Sequence, residues 1–495
     1  MHTNRLLFSS AALLSLFAMA GCNDHTNPGG PAVPTTDVVL QNRSVTPALV
    51  KMQPGFENLQ AYSLLSSDDK LEQSPNFTFG GSADGAGLLK NTDGTYTMLV
   101  NHEDHFAVSR VTLDKTFKPV KGEYILNSDG GVWRLCSATM ATPQENGFGP
   151  LYLTSGESGE DSRTHGLEPY ASATQASVSR ELPALGRTSA EVALPLPKTA
   201  YAGKTAIIIG DDDSGVNGGQ VYLYLANTVG DLQNGDLYVM KRKDSNQRER
   251  DIVLGQTYDV DFVKVENQKT LTGKQQNELV DKTLKAIKFG RVEDVDYRKD
   301  GVGRELYFNV TGQPVAAENA DFSRTKYGRV YRLVMDAANP LVGKLSVVLD
   351  GDERTGKAKL FQNPDNICAT KNFVYVQEDP NSYGDETHDG YIYQYNIATG
   401  DLKVVMELDH RRTAADKEKF NQKSDASGYS ESTKGSWEYG ALIDVSQELG
   451  MDDTFLLYPQ PHTWRDKKFG GVDGGSKRLT EYQGSQVLVI KGLPR

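Results

Sequence analysis

Acidic residues recur in short, turn-like clusters along this chain. They stand at Asn101-His102-Glu103-Asp104, Gly156-Glu157, Glu191, Gly210-Asp211-Asp212-Asp213, Arg291-Val292-Glu293-Asp294, Pro364-Asp365-Asn366 and Glu378-Asp379. Carboxylates gathered at strand ends repel one another unless cations neutralise them, so the chemistry this pattern permits is metal binding. Ca²⁺, a hard cation, takes oxygen ligands of this kind. Each cluster alone also reads as a solvated turn, and none has the spacing of an EF-hand loop. Other chemistries lack their residues. The chain has no Gly-x-Ser-x-Gly elbow, no His-Glu-x-x-His and no Walker loop. His102 and His105 are three apart but lack zinc-motif spacing, and structural histidines are the simpler reading.

The elements that must carry these clusters are short strands. Runs at 96–100, 151–154, 206–209, 221–225, 305–310, 329–334, 373–376, 391–395 and 486–490 are β-branched, aromatic or alternating, and Gly, Asp and Asn turns separate them. The expected class is all-β, and one β-propeller fits the length. In a propeller, strand ends face the mouths of the central channel, where sites are built. Two insertions interrupt the pattern. Residues 270–289 place Leu279, Val280, Leu284 and Ile287 at helical spacing, which predicts a helix near 265–289. Residues 409–436 are polar and charged, and read as a long surface loop with a helical stretch near 414–420.

The N-terminus carries a further message. Arg5 precedes a short apolar stretch at 6–19, and Ala20-Gly21-Cys22 closes it with small residues. That order reads as a secretory signal, and the stretch is shorter than the roughly 20 residues of a spanning helix. Ending on Cys22 resembles a bacterial lipobox. The expected organisation is a signal peptide at 1–21, a lipidated Cys22 with a flexible tether at 22–55, and a propeller at 56–495. Asn23 after the cysteine favours the outer membrane, facing the periplasm or cell surface, and a monomer is expected. The net charge is −12, and removing 1–21 takes away one Arg and no acid. An acidic chain has no electrostatic case for nucleic-acid binding. With Cys22 lipidated, Cys136 and Cys368 remain, either as one disulfide or as a metal thiolate with a free thiol.

From Phe77 to Trp464 the ordered segments resemble the PhoX-type alkaline phosphatases. The resemblance runs through Ala83-Asp84-Gly85, Leu99-Val100-Asn101-His102-Glu103, Arg134-Leu135-Cys136, Tyr152-Leu153-Thr154-Ser155-Gly156-Glu157, His165-Gly166, Leu185-Gly186-Arg187 with Glu191, Ile209-Gly210-Asp211-Asp212, Arg291-Val292-Glu293-Asp294 and Pro364-Asp365-Asn366. It implies a six-bladed propeller holding Ca²⁺ and Fe³⁺, and hydrolysis of phosphate monoesters by a metal-activated oxygen nucleophile. Carried over, Cys136 is an iron ligand and Glu191 and Glu293 hold metal at the catalytic centre. Arg291 holds substrate phosphate, and Glu157, Asp211, Asp212 and Asp365 are further metal ligands. The chain departs from the family at Ala190 before Glu191, at Val292 within Arg-Val-Glu-Asp, and at Gln460-Pro461-His462. Two other functions fit the same residues: a Ca²⁺-stabilised propeller lipoprotein that binds a ligand or partner without catalysis, and another propeller hydrolase of the phytase or lactonase kind.

Overall fold

Runs of aliphatic and aromatic residues become antiparallel strands joined by tight turns. Thr205–Asp211, Val221–Ala226 and Asp236–Arg242 pair in succession. Every residue of Thr205–Asp211 is buried. Such a strand lies within a sheet covered on both faces, which is why it reads as a continuous apolar run. Val342–Asp350 lies farther out, and its burial alternates as one face meets solvent.

This computed structural model describes residues 36–380, 387–421 and 435–495. The signal segment 1–21, Cys22 and the centre of the 409–436 insertion lie outside the described residues. The described part of the segment read as a tether, 36–55, contributes an edge strand, Val50–Met52, which pairs with Leu402–Leu408. Among the described residues no helix is long and apolar enough to cross a membrane.

The described strands form five sheets. One holds Ala83–Lys90, Tyr96–His102, Ala107–Leu113 and Pro119–Leu126, and a second holds Leu135–Ala141, Leu151–Gly156 and His165–Leu167. Another contains Pro364–Ala369, Phe373–Glu378, Tyr391–Asn396 and Leu402–Leu408, with Val50–Met52 at its edge. A fourth contains Glu438–Asp444, Thr454–Gln460 and Gln486–Lys491, completed by the early strand Gln60–Ser66. The remaining sheet has nine strands, beginning with Ala190–Pro195 at one end and Val292–Tyr297 at the other.

The innermost strands are Ala83–Lys90, Leu135–Ala141, Ala190–Pro195, Val292–Tyr297, Pro364–Ala369 and Glu438–Asp444. Each packs against the next, and the last returns to the first, so the sheets stand around an axis in a propeller-like arrangement. Pairing of Gln60–Ser66 with Gln486–Lys491 ties the two ends of the ring together. Six separate blades were expected. Instead Thr257–Lys264 pairs with Asp236–Arg242 on one side and Val342–Asp350 on the other, fusing two groups of strands into the nine-stranded sheet. A shared strand satisfies two outer edges that would otherwise stay unpaired.

The helix expected at 270–289 is much shorter. Thr272 and Gln275 make a capping box, Gly273–Glu278 is α-helical, and Leu279–Thr283 is a single π-turn. Lys285, at φ 60°, ends the helical path. Val280 and Ala286 then pack beneath Ala190 and Tyr222, whereas Ile287 and Phe289 enter a different core beside Phe308 and Tyr331. The helix expected near 414–420 is one turn, Lys417–Phe420.

Candidate metal centre

A repeated local device aims the acidic residues inward. Asp84, Cys136, Glu191, Glu293 and Asp365 each occupy the second position of an inner strand, and Glu438 the first position of the sixth. In all six strands the pairing register shifts at or just after this point. The shifts fall between Ala83 and Ala86, Leu135 and Ala138, Ala190 and Val192, Val292 and Val295, Pro364 and Ile367, and Tyr439 and Leu442. A β-bulge releases the residue from the ladder, bends the strand and re-aims its side chain. Five of these side chains lie within their bulge, and Glu438, still paired with Gln460, lies just ahead of the sixth.

The side chains meet in four overlapping groups whose ligand atoms lie within 4.8 Å of one another. These are Asp84, Cys136 and Glu191; Glu103, Cys136 and Glu157; Glu191, Glu293 and Asp365; and Asp365, Asp379 and Glu438. Cys136 Sγ donates to Glu157 Oε2 at 3.0 Å, and Glu191 Oε1 accepts from Ser137 N at 3.0 Å. Asn101, which follows the Leu99-Val100 run, donates to Cys136 O and to Thr154 Oγ1. The Tyr152 hydroxyl shares its one proton between Gly85 O at 2.7 Å and Asn101 Oδ1 at 2.9 Å. Asn366 Nδ2 donates to Asp84 Oδ1 at 3.4 Å and Ser137 Oγ at 2.9 Å, linking the far side of the ring. His462 Nε2 lies 3.1 Å from Glu438 Oε1.

Burial is the largest influence on these groups. It pushes the carboxyls of Asp84, Glu157, Glu293, Asp365 and Glu438 well above their ordinary range, and neighbouring carboxylates add to the rise. Glu103 is pushed up to about 8 and Glu191 to about 7, and the Cys136 thiol is raised for the same reasons. Such a cluster binds protons or cations. Glu293 Oε1 is buried with no hydrogen-bond partner among the described residues, although it lies 3.2 Å from Arg291 Nη2. The donor set fits the cations expected. Carboxylate oxygens suit Ca²⁺, and a thiol among carboxylates suits a transition metal such as Fe³⁺.

Arg291 stands beside this centre. Its Nε and Nη2 hold Asp212 Oδ1 and Oδ2 at 2.7 and 3.1 Å. Its backbone sits at φ 72°, a left-handed conformation uncommon for a side-chain-bearing residue. Asp212 lies in none of the four groups, yet besides the guanidinium its carboxyl meets those of Glu157 and Glu293 directly. Asp211, its neighbour, is likewise outside them, and both its buried oxygens lack partners among the described residues. Glu157, Cys136, Glu191, Glu293 and Asp365 are brought together. Asp84, Glu103, Asp379 and Glu438 join them without having been assigned from sequence. The signal that locates four of the six inner-strand ligands is an apolar or small residue followed by Asp, Glu or Cys at the start of a strand: Ala83-Asp84, Leu135-Cys136, Ala190-Glu191 and Val292-Glu293.

Cys136 and Cys368 are both free and buried. Cys368 packs with Tyr375 and Leu442, away from the four groups. His102 is held as a structural residue, whereas His105 is buried with neither ring nitrogen hydrogen-bonded among the described residues. His102 Nε2 lies 2.8 Å from Ser109 Oγ and its ring meets Phe79 edge-on. Burial lowers the two histidines to about 3 and about 4.

No family model matches the sequence, and no curated protein does. Among solved structures the fold is similar to Pseudomonas fluorescens PhoX in complex with vanadate, a transition state analogue. The TM-score is 0.59 and the identity 14%, over 91% of this chain and 98% of that one. At this identity the likeness is one of fold. The GH93 α-L-arabinofuranosidase of Fusarium graminearum with arabinobiose matches at TM-score 0.37 and 12% identity, over 86% of this chain and 97% of that one. The α-L-arabinanase of Penicillium chrysogenum with arabinobiose matches at 0.38 and 10%, over 87% and 97%. Likenesses this weak carry no functional weight.

Proposed function

We propose that this chain is an exported, metal-dependent phosphatase of the PhoX kind that hydrolyses phosphate monoesters. In this reading the nine-stranded sheet counts as two blades, making six, and a lipid on Cys22 anchors the protein to the outer membrane as a monomer. The observation that carries the reading is the set of four overlapping acidic groups, one containing Cys136 and Glu191, with the Arg291 guanidinium alongside. The fold likeness to a protein crystallised with vanadate supports it.

Cys136, Glu103, Glu157, Glu191 and Asp84 would hold the transition metal, and Glu293, Asp365, Asp379 and Glu438 would hold Ca²⁺. When bound, the cations neutralise phosphate charge and lower the pKa of an attacking water. The protein's own part is positioning. Asp212 fixes the guanidinium plane of Arg291, a planar, permanently charged fork suited to phosphate oxygens. Asn101, Tyr152 and Ser137 hold the Cys136 and Glu191 region in place, so little reorganisation is needed when the ester arrives.

The test is turnover of a chromogenic phosphomonoester by protein purified from periplasm, with Ca²⁺ and iron and then with chelator. Full metal occupancy without turnover of varied phosphate esters would reject the reading. The engagement of Arg291 by both Asp212 and Glu293 favours the second reading, a Ca²⁺-stabilised propeller that binds a ligand without catalysis. That reading expects Ca²⁺ removal to lower Tm while Arg291→Ala leaves the phenotype unchanged. Elemental analysis addresses the phytase or lactonase alternative, which expects no iron.

A further inference from the structure

Asp104 follows Glu103 in the turn Glu103–His105 and has a different role from it. Its Oδ2 accepts from Gln483 Nε2 at 2.8 Å and Ser82 Oγ at 3.3 Å, which fixes the carboxylate. Two guanidinium groups from opposite ends of the chain converge on the remaining oxygen. Arg134 Nη2 lies 3.2 Å from Asp104 Oδ1, and Arg478 Nη2 lies 3.9 Å from the same atom. Arg134 also reaches Glu103 Oε1 at 3.4 Å, so the pair borders the group of Glu103, Cys136 and Glu157. Arg478 is held from behind by Asp104 O, by Glu481 at 3.6 Å and by the face of Phe106.

The charges are layered. The side chains of Asp104, Glu103 and Glu481 are only 10%, 13% and 9% exposed, whereas those of Arg134 and Arg478 are 43% and 32% exposed. The carboxylates lie underneath and orient two cations whose outer faces meet solvent. Neither Nη1 atom has a protein partner among the described residues. Two oriented, half-exposed guanidinium groups beside one another suit an anionic oxygen group, and arginine's fork binds carboxylate and phosphate alike. Arg291 has other partners, Asp212 and Glu293.

We propose that Arg134 and Arg478 form an anion subsite at the rim of the metal centre, and that the substrate is a phosphate ester whose alcohol half carries a second anionic group. This rests on the phosphatase reading and narrows it. Arg134 lies immediately before the inner strand that carries Cys136, while Arg478 comes from the chain's last loop before Gln486–Lys491. Specificity for a second charge is thus assembled only when the ring closes.

The experiment compares kcat/KM for ester pairs that differ by one anionic group: glycerol 3-phosphate against 3-phosphoglycerate, and a hexose monophosphate against a hexose bisphosphate. The first pair reads a carboxylate and the second a phosphate. The wild type should favour the doubly anionic ester of at least one pair. Arg134→Gln and Arg478→Gln should each reduce that preference about tenfold, the effect of losing one charge-assisted contact. Arg478→Gln decides if Arg134→Gln fails to fold, because among the described residues Arg478 holds to Asp104, Glu481 and Phe106 and to none of the four metal-ligand groups. No preference in the wild type, or a preference unchanged in Arg478→Gln, overturns the subsite. If no ester is turned over, the phosphatase reading fails. The subsite is then read from the rise in Tm that inorganic sulfate gives the protein as purified. The Arg134→Gln, Arg478→Gln double variant should abolish that rise, and a rise equal to wild type's overturns the proposal.

Discussion

Glu191, like Cys136 and Asp365, belongs to two of the four groups, so neutralising it probes the centre. In chelator-stripped protein its carboxyl holds a proton up to about pH 7, against 4.5 for an ordinary Glu. Burial is the main cause, opposed by the hydrogen bonds from Ser137 and reinforced by Asp212. A carboxyl whose folded pKa is raised binds its proton more tightly in the folded state. Its contribution to stability is complete below about 4.5 and is lost as pH climbs through 7. At about 1.4 kcal/mol per pH unit the loss for Glu191 at pH 8 is on the order of 3 kcal/mol. Glu103, raised to about 8, acts in the same direction. Stripped wild type should therefore be less stable at pH 8 than at pH 5. Glu191→Gln, neutral at both values, should lose on the order of 3 kcal/mol less between them. Urea unfolding followed by circular dichroism at both pH values measures this. Stability that is flat or rises with pH in the stripped wild type, or an equal loss in Glu191→Gln, would refute the electrostatic account. Ca²⁺ at pH 8 should restore the wild type more than the variant.

Arg291→Ala should lower kcat/KM on a phosphomonoester by roughly 10- to 100-fold, the cost of one charge-assisted interaction, and steady-state kinetics with metals saturating will show it. Cys136→Ser should lose bound iron in elemental analysis while retaining Ca²⁺; undiminished iron would remove Cys136 from the ligand set. Alkylation of denatured, metal-stripped protein without reductant should label both Cys136 and Cys368, read by intact mass, and a two-dalton deficit would instead reveal a disulfide. Gly85→Ala would place a Cβ against Ala138 N and 2.5 Å from Cys136 O. It should cost about 1–3 kcal/mol by overpacking, seen as a lower Tm together with weaker metal retention; an unchanged Tm would refute the tight approach.

Much of the strand content is visible in residue order. The apolar runs at 206–209 and 221–225 fall inside Thr205–Asp211 and Val221–Ala226, because a strand covered on both faces needs little except apolar side chains. The helical spacing of Leu279, Val280, Leu284 and Ile287 misleads for a stated reason. Val280 and Leu284 serve one core and Ile287 another, so the spacing arises from two packing partners rather than one continuous face. Adjacent acids are equally ambiguous. Asp212 grips Arg291 while Asp211 is buried without a hydrogen-bond partner among the described residues, a difference that Gly-Asp-Asp-Asp does not contain. Glu438 stands at the border of the polar stretch 409–436, where a single carboxylate is indistinguishable from the charged residues before it, although the apolar residues 439–443 follow.

Residue order alone places clusters of carboxylates in turns at strand ends, and favours short strands over helices. It does not determine which carboxylates share a cation. That depends on six bulges occurring at the same level, and on ring closure. Asp84 and Glu438 lie near opposite ends of the chain, yet Gly440 packs against the Asp84 backbone. They meet because Gln60–Ser66 pairs with Gln486–Lys491 and returns the last inner strand to the first. The acids are local features of sequence, and their mutual repulsion, which gives the centre its demand for cations, exists only once the tertiary structure has brought them within reach.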